Sequence, residues 1–253
     1  MTTAEHSEDI ENIVDCQNLS IHRDMREVLH NASCCIPINA LTFIVGENGS
    51  GKTTLVQSIL GLLPITNGEI KLNSKSKKEL VFGYVPQSVN FSKHIQMTVS
   101  EYLKYSASVP SDLIEQTLSI VDFPETHLHN RLTELSGGQT QKLLLAAELF
   151  RSPDILFLDE PLSNVDDSSE KHIIDVILGI KNQGVAIVII THDWQMVSSY
   201  ADHVICLNTN FLCELSSSCI CKNSLSKLNI RNIQKATPDP QSSHPGYCYI
   251  ENI

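Results

Sequence analysis

The chain has 253 residues, 42% of them hydrophobic, enough to bury a sizeable core as one large domain or one domain with a subdomain, which excludes global disorder. Its 18 Lys and Arg against 29 Asp and Glu leave a formal charge of −11, which argues against a nucleic-acid partner, since that binding draws on basic surface and counterion release. The 8 cysteines would suit a secreted disulfide framework, but the opening Met-Thr-Thr-Ala-Glu-His-Ser-Glu-Asp is polar and acidic with no signal-peptide pattern, so reduced thiols are expected.

In chain order, residues 1–11 read as a short mobile lead, and Ile13–Ile21 fits an edge strand followed by a polar turn at His22-Arg23-Asp24. Leu41–Val45 is a buried-strand pattern, and a helix is expected from near Lys52 through Leu60. Pro64 and Asn67-Gly68 punctuate a turn into the strand-like Glu69–Leu72, after which Lys75, Lys77 and Lys78 mark an exposed hairpin tip. Leu80–Val85 reads as another strand. From about Ser88 to Phe150 the period turns helical: Ile114, Leu118 and Val121 share one face, and Leu143, Leu144, Ala147 and Phe150 form a stripe on another. This block is expected to be an inserted helical subdomain. Strand patterns return at Ile155–Leu158, Val185–Ile190 and Val204–Leu207, with a helical Lys171–Ile180 between the first two, and such alternation predicts a largely parallel sheet wrapped by helices. Beyond about Asn223 the composition shifts to Ser, Asn, Gln and Pro, the pattern of a loosely held tail. Apolar runs such as Val185–Ile190 are strand-sized and far short of a bilayer crossing, so a soluble protein, or one attached to a membrane only through partners, is expected.

Gly46-Glu47-Asn48-Gly49-Ser50-Gly51-Lys52-Thr53 is a full G-x-x-x-x-G-K-[ST] phosphate loop between that strand and that helix. A loop curling around polyphosphate must point successive backbone N–H groups inward at close range, which glycines at 46, 49 and 51 permit. Lys52 can reach the terminal phosphates, Thr53 offers a hydroxyl to Mg²⁺, and the helix aims the positive end of its dipole at the same anion. The chain is therefore a nucleotide triphosphatase candidate.

Ile155-Leu156-Phe157-Leu158-Asp159-Glu160 is an apolar strand ending in two carboxylates, as a Walker B strand does. Next to a phosphate loop, Asp159 is placed to hold the Mg²⁺ shell and Glu160 to polarise an attacking water. Leu135-Ser136-Gly137-Gly138-Gln139 offers a hydroxyl and exposed glycine N–H groups at a helix start, a second anion site able to grip a terminal phosphate from outside. Alone it would read as a simple helix N-cap. Its place about twenty residues before the carboxylate strand favours the functional reading.

With these motifs in place, residues 12–215 resemble the ATP-binding cassette (ABC) family, whose order is matched by Gly46–Thr54, Gln87, Leu135–Gln139, Ile155–Glu160, Ser163-Asn164-Val165-Asp166 and His192. The resemblance implies an α/β phosphate-loop cassette over residues 12–222, with a mainly parallel sheet core, an N-terminal antiparallel β-subdomain, a helical subdomain at about 88–150 and the tail at 223–253. It also implies roles: Gln87 contacts Mg²⁺ or the water and senses a membrane partner, Asp166 communicates across a dimer, and His192 touches the γ-phosphate. Because one protomer supplies the phosphate loop and carboxylates while the other supplies the Ser136-Gly137-Gly138 cap, the family mechanism implies a homodimer sandwiching two ATP molecules. Partnership with integral membrane permease subunits, with this chain peripheral at the cytoplasmic face of the cell (inner) membrane, follows from the same likeness.

Four departures stand out. Arg23, beside His22, occupies the place of the usual adenine-stacking aromatic and can stack as a guanidinium plane or simply be an exposed turn arginine. Gln141-Lys142 stands where Gln-Arg is usual, Ala147 replaces a frequent arginine, and Leu162 takes the place of a common threonine. None removes a phosphate, magnesium or water group. Among ABC ATPases, Val81–Gln87, Met97-Thr98-Val99 and Val204–Asn208 look most like zinc- and manganese-type metal importers. That likeness implies import of a divalent metal, zinc by preference over manganese or iron, with a metal-binding extracytoplasmic protein as an indirect partner. Two other classes remain: a soluble, non-transport ABC ATPase, and a nonhydrolytic binding module, which would need a damaged site although Lys52, Asp159, Glu160 and His192 are all present. His127, His129, Cys213, Cys219, Cys221, His244 and Cys248 lack zinc-finger spacing and read as ordinary surface histidines and reduced cysteines.

Overall fold

The computed structural model describes residues 12–23, 26–74, 79–89, 91–92, 94–163, 165–208, 211–216, 237–238 and 248–249. The expected lead at 1–11, the lysine tip at 75–78, and Asp24, Asn164, Cys219, Cys221 and His244 lie outside these residues.

Period-two alternation builds the first layer. β1 (Asn12–Arg23) buries Val14, Cys16, Leu19 and Ile21 while interleaving polar residues, and β2 (Arg26–Pro37) does the same with Leu29, Ala32, Cys34 and Ile36. With β4 (Asn67–Leu72) they form an antiparallel sheet in the order β2-β1-β4. This corrects the reading of Ile13–Ile21 as an edge strand: β1 is central, with Cys16 opposite Cys34 on one side and Ile70 on the other. Its polar interleaving reflects the outer face of a two-faced sheet, not an unpaired edge.

Continuous apolar runs build the second layer. β3 (Leu41–Gly46), β5 (Phe82–Val85), β6 (Ile155–Asp159), β7 (Ala186–Ile190) and β8 (His203–Asn208) run parallel in the order β5-β6-β7-β3-β8, and β9 (Phe211–Ser216) adds an antiparallel edge. Along β3, Leu41, Phe43 and Val45 face one core and Ile44 the other, so the sheet is covered on both sides. The face carrying Ile44 packs on α1 (Lys52–Ile59) and the antiparallel sheet. Opposite lie α2 (Val99–Ser106), α3 (Ile114–Ser119), α4 (Gly137–Phe150), α5 (Asp167–Asn182) and α6 (Trp194–Tyr200).

The first three of those helices enter between β5 and β6 in the chain, where the sequence period turns helical. α3 stops at Ser119, so Val121 completes the apolar patch from the following turn. Lys142, flagged for replacing an arginine, is buried and donates through Nζ to the Asp122 carbonyl at 3.2 Å, tying α4 to that turn. Ala147 and Leu162, two further departures, pack in or against the same core. Of the tail beyond 223, the described residues form one short antiparallel pair, β10 (Thr237–Pro238) with β11 (Cys248–Tyr249).

His203 begins β8 beside Thr42 of β3 and is 4% exposed, with no hydrogen-bond partner for either ring nitrogen among the described residues. Burial pushes its pKa down from the usual 6.5 to about 4. The unfolded chain therefore binds this proton more readily than the folded one between those values, so stability is full at neutral pH and falls as pH drops through that window. Between pH 7.5 and pH 5 the loss from this group is about 2 kcal/mol. Urea titrations at the two pH values should show His203→Leu losing much less stability on acidification than the parent. An equal loss in both proteins would contradict the assignment.

Candidate functional site

The site is assembled at the carboxyl ends of β3, β6 and β7, where parallel strands deliver their last side chains to one edge. β3 passes at Gly46 into the phosphate loop, which Lys52 closes by starting α1. Gly46 has φ +155, and a Cβ there would meet the Leu207 carbonyl oxygen at 2.1 Å, so only glycine lets β8 approach the loop. Gly49 differs: space is open around it, but its φ of +83 belongs to the left-handed region. Glu47, Asn48 and Gly49 are exposed, whereas Ser50, Gly51 and Thr54 are buried.

Within the loop the Lys52 amine donates to the carbonyls of Gly46 at 2.8 Å and Glu47 at 2.9 Å, drawing the strand end and loop together. Burial lowers the Lys52 pKa, and the charges of Glu160 and Asp159 oppose that shift. From the first turn of α1, Thr53 donates its hydroxyl to Asp159, the last residue of β6, at 3.3 Å. Burial raises the Asp159 pKa, Thr53 and Lys52 pull it down, and neighbouring Glu160 pushes it up. A buried carboxylate and a hydroxyl thus converge beside the loop, and the Ser50 hydroxyl, 2% exposed, has no hydrogen-bond partner among the described residues. Hard oxygen donors of this kind fit Mg²⁺.

Glu160 leaves β6 with φ 49, a left-handed backbone uncommon for a residue with a Cβ. The β7–α6 corner holds it there: Glu160 N–H donates to the Ile190 carbonyl at 2.9 Å, His192 Nδ1 lies 2.7 Å from Oε1, and the Thr191 hydroxyl lies 3.4 Å from Oε2. The His192 side chain is largely open to solvent at 76% exposure while that of Glu160 is 13% exposed, so the carboxylate is sheltered and the imidazole is not.

The remaining sequence-predicted residues are placed by their elements. Gln87 is exposed two residues beyond β5, which pairs with β6 through Val85 and Leu158, so it stands on the same strand-end edge. Ser136 caps α4: its hydroxyl accepts the Gln139 N–H at 3.2 Å, while the Gln139 side chain accepts the Ser136 N–H at 2.9 Å. The cap reading and the anion-site reading are thus compatible, because the Ser136 proton and the N–H groups of exposed Gly137 and of Gly138 remain available as donors. Leu135 packs against the core and orients that corner. Asp166 caps α5 by accepting the Ser169 N–H at 3.1 Å. Arg23 sits exposed at the end of β1, opposite Arg26 of β2.

Two neighbours escaped the sequence reading. Tyr84, half-buried on β5, has its pKa raised by burial and then by the charge of Asp159, which places it within the field of that carboxylate. Thr191 is 4% exposed and touches Glu160. Its only sequence signal was adjacency to His192.

A doubly covered, mainly parallel sheet with a phosphate loop, and carboxylates on a facing strand end, defines a phosphate-loop ATPase. The ABC transporter family profile matches residues 29–163. Zinc import ATP-binding protein ZnuC of Buchnera aphidicola is 35% identical over 213 residues, covering 83% of this chain and 87% of that one. The ZnuC of Vibrio cholerae is 33% identical, covering 83% and 79%. Among solved structures, an ATP-binding subunit of an ABC transporter superposes with TM-score 0.74 at 19% identity, covering 88% of this chain and 98% of that one. A dimeric ATP-binding cassette bound to ADP and Pi superposes at 0.71 with 21% identity, covering 80% and 98%. The chain belongs to the ABC transporter family.

Proposed function

We propose that this chain is the ATP-binding and ATP-hydrolysing subunit of a transporter that imports zinc through separate integral membrane permease subunits. The observation carrying the zinc reading is that curated relatives 32–35% identical over about four-fifths of the chain are named zinc import ATP-binding proteins. ATP is the fuel. Residues 12–222 are taken as the ATPase domain, with 88–150 as its helical insertion and 223–253 as a tail.

In this reading Gly46 to Thr54 cradle the polyphosphate, and Lys52 exchanges its loop carbonyls for the terminal phosphates. Thr53, Asp159 and Gln87 would hold Mg²⁺, which when bound supplies charge neutralisation to the phosphates. Glu160 accepts a proton from the attacking water, and His192, whose Nδ1 lies 2.7 Å from Glu160 Oε1, turns from that carboxylate to the γ-phosphate when ATP is bound. Arg23 stacks on the adenine.

The composite site needs a second copy. Glu47 to Gly49 and Ser136-Gly137 are exposed in the single chain, which suits surfaces completed by a partner cassette. Solved relatives of this fold include dimeric cassettes. Asp166, at the exposed start of α5, is read as the residue signalling between the two sites. No helix among the described residues is long and apolar enough to cross a membrane, and attachment at the cytoplasmic face through permease subunits is part of the proposal. An extracytoplasmic zinc-binding protein would feed that permease.

Deleting this reading frame from its host should slow growth under zinc chelation, with recovery on added zinc and not on added manganese or iron. The parent gene should restore growth where Glu160→Gln does not. Growth indifferent to the deletion, or recovery on manganese alone, would contradict the zinc assignment.

A further inference from the structure

The β7–α6 corner grips Glu160 with consecutive residues: the Ile190 carbonyl takes its backbone N–H, and Thr191 and His192 reach the two oxygens of its carboxylate. The middle contact has a defined direction. Asp193 N–H donates to the Thr191 hydroxyl oxygen at 3.1 Å, so that oxygen is occupied as an acceptor and its own proton is free to turn toward Glu160 Oε2. Thr191 is itself anchored, since its backbone N–H donates to the Ile44 carbonyl of β3 at 3.3 Å and its side chain is buried. The hydroxyl is therefore fixed relative to the strand that feeds the phosphate loop.

The two grips on the carboxylate differ in mobility. His192 is 76% exposed at its side chain and sits on the surface, whereas Thr191 is 4% exposed and tied to β3 and to Asp193, the cap of α6. An imidazole that serves a phosphate must move with it. A buried hydroxyl need not. The separation of 3.4 Å is long for a hydroxyl donating to a carboxylate, the usual condition of catalytic hydrogen bonds before substrate tightens them.

We propose that Thr191 is a positioning residue for ATP hydrolysis, its hydroxyl proton holding Glu160 Oε2 so that Oε1 stays aimed at the attacking water when His192 engages the nucleotide. This rests on the reading of Glu160 as the group that polarises that water. A left-handed backbone at Glu160 makes such support necessary, because strain of that kind persists only where neighbours fix the residue.

The test uses the purified full chain with ATP and Mg²⁺ and compares Thr191→Val, Thr191→Ala and Thr191→Ser. Valine keeps the shape and removes the proton; serine keeps the proton and removes a methyl. Loss of one aimed hydrogen bond should lower kcat about tenfold in the valine and alanine variants. The ATP dissociation constant should stay within about twofold, and serine should recover kcat to within about threefold of the parent. Should valine fail to fold, the alanine and serine pair carries the comparison, with nucleotide binding reporting folding. A parent-like kcat in the hydroxyl-free variants, a serine variant as slow as they are, or ATP affinity falling in step with kcat would each overturn the proposal. Glu160→Gln run alongside separates the two claims: if it hydrolyses ATP at the parental rate, the role of Glu160 itself fails.

Discussion

Glu160→Gln is expected to reduce ATP hydrolysis by at least about a hundredfold, the usual worth of a positioned general base, while leaving ATP binding intact. The substitution is nearly isosteric. A glutamine Oε1 can accept from Thr191 at the position where the carboxylate oxygen lies 3.4 Å away, and the backbone bond to Ile190 is untouched, so the β6–β7 edge should hold its shape. What disappears is the ability to take a proton. The phosphate loop, Thr53 and Asp159 stay as they were, and ATP should therefore bind and close the dimer without reopening it. Phosphate release and light scattering read the two effects together: no phosphate, and twice the monomer mass once ATP and Mg²⁺ are added. Hydrolysis at the parental rate would remove Glu160 from the mechanism.

Lys52→Ala should weaken ATP binding by about a hundredfold or more, since a charge-assisted hydrogen bond to phosphate is worth about 3 kcal/mol in a sheltered site. The Lys52 amine is held on the Gly46 and Glu47 carbonyls, ready at the mouth of the loop, and the nearby charges of Glu160 and Asp159 counter the burial that depresses its pKa. Alanine removes the cation and frees both carbonyls, but leaves the Gly46–Leu207 approach that shapes the loop. The fold should survive, and calorimetric titration with ATP measures the loss. Unchanged affinity would mean that the phosphates sit elsewhere.

The functional edge was legible because each piece is local. A phosphate loop, an apolar strand ending Asp159-Glu160 and the run Ile190-Thr191-His192 are read from adjacent residues, and the parallel sheet then brings their ends together. β2 was missed because His30, Asn31 and Ser33 dilute its Leu29, Ala32, Cys34, Ile36 alternation, and bulges in its pairing with β1 break the period further. Without β2 beside it, the alternation of β1 alone reads as that of an edge strand. α6 went unread for a different reason: at seven residues it is too short to show a stripe, and it is started by the Asp193 side chain accepting the N–H groups of Gln195 and Met196. The hold of Thr191 on Glu160 joins residues 31 positions apart and has no local signature.

The central claim, that each ATP is gripped by the phosphate loop of one chain and the Ser136 corner of its twin, is tested most directly by crosslinking across the interface. Asn48→Cys and Ser136→Cys are placed on separate chains, in a background with the accessible native cysteines replaced and Glu160→Gln holding the nucleotide. A short bifunctional thiol reagent should then join chain to chain when ATP and Mg²⁺ are present and fail when they are absent. A nucleotide-trapped dimer in which those two positions never crosslink would contradict it.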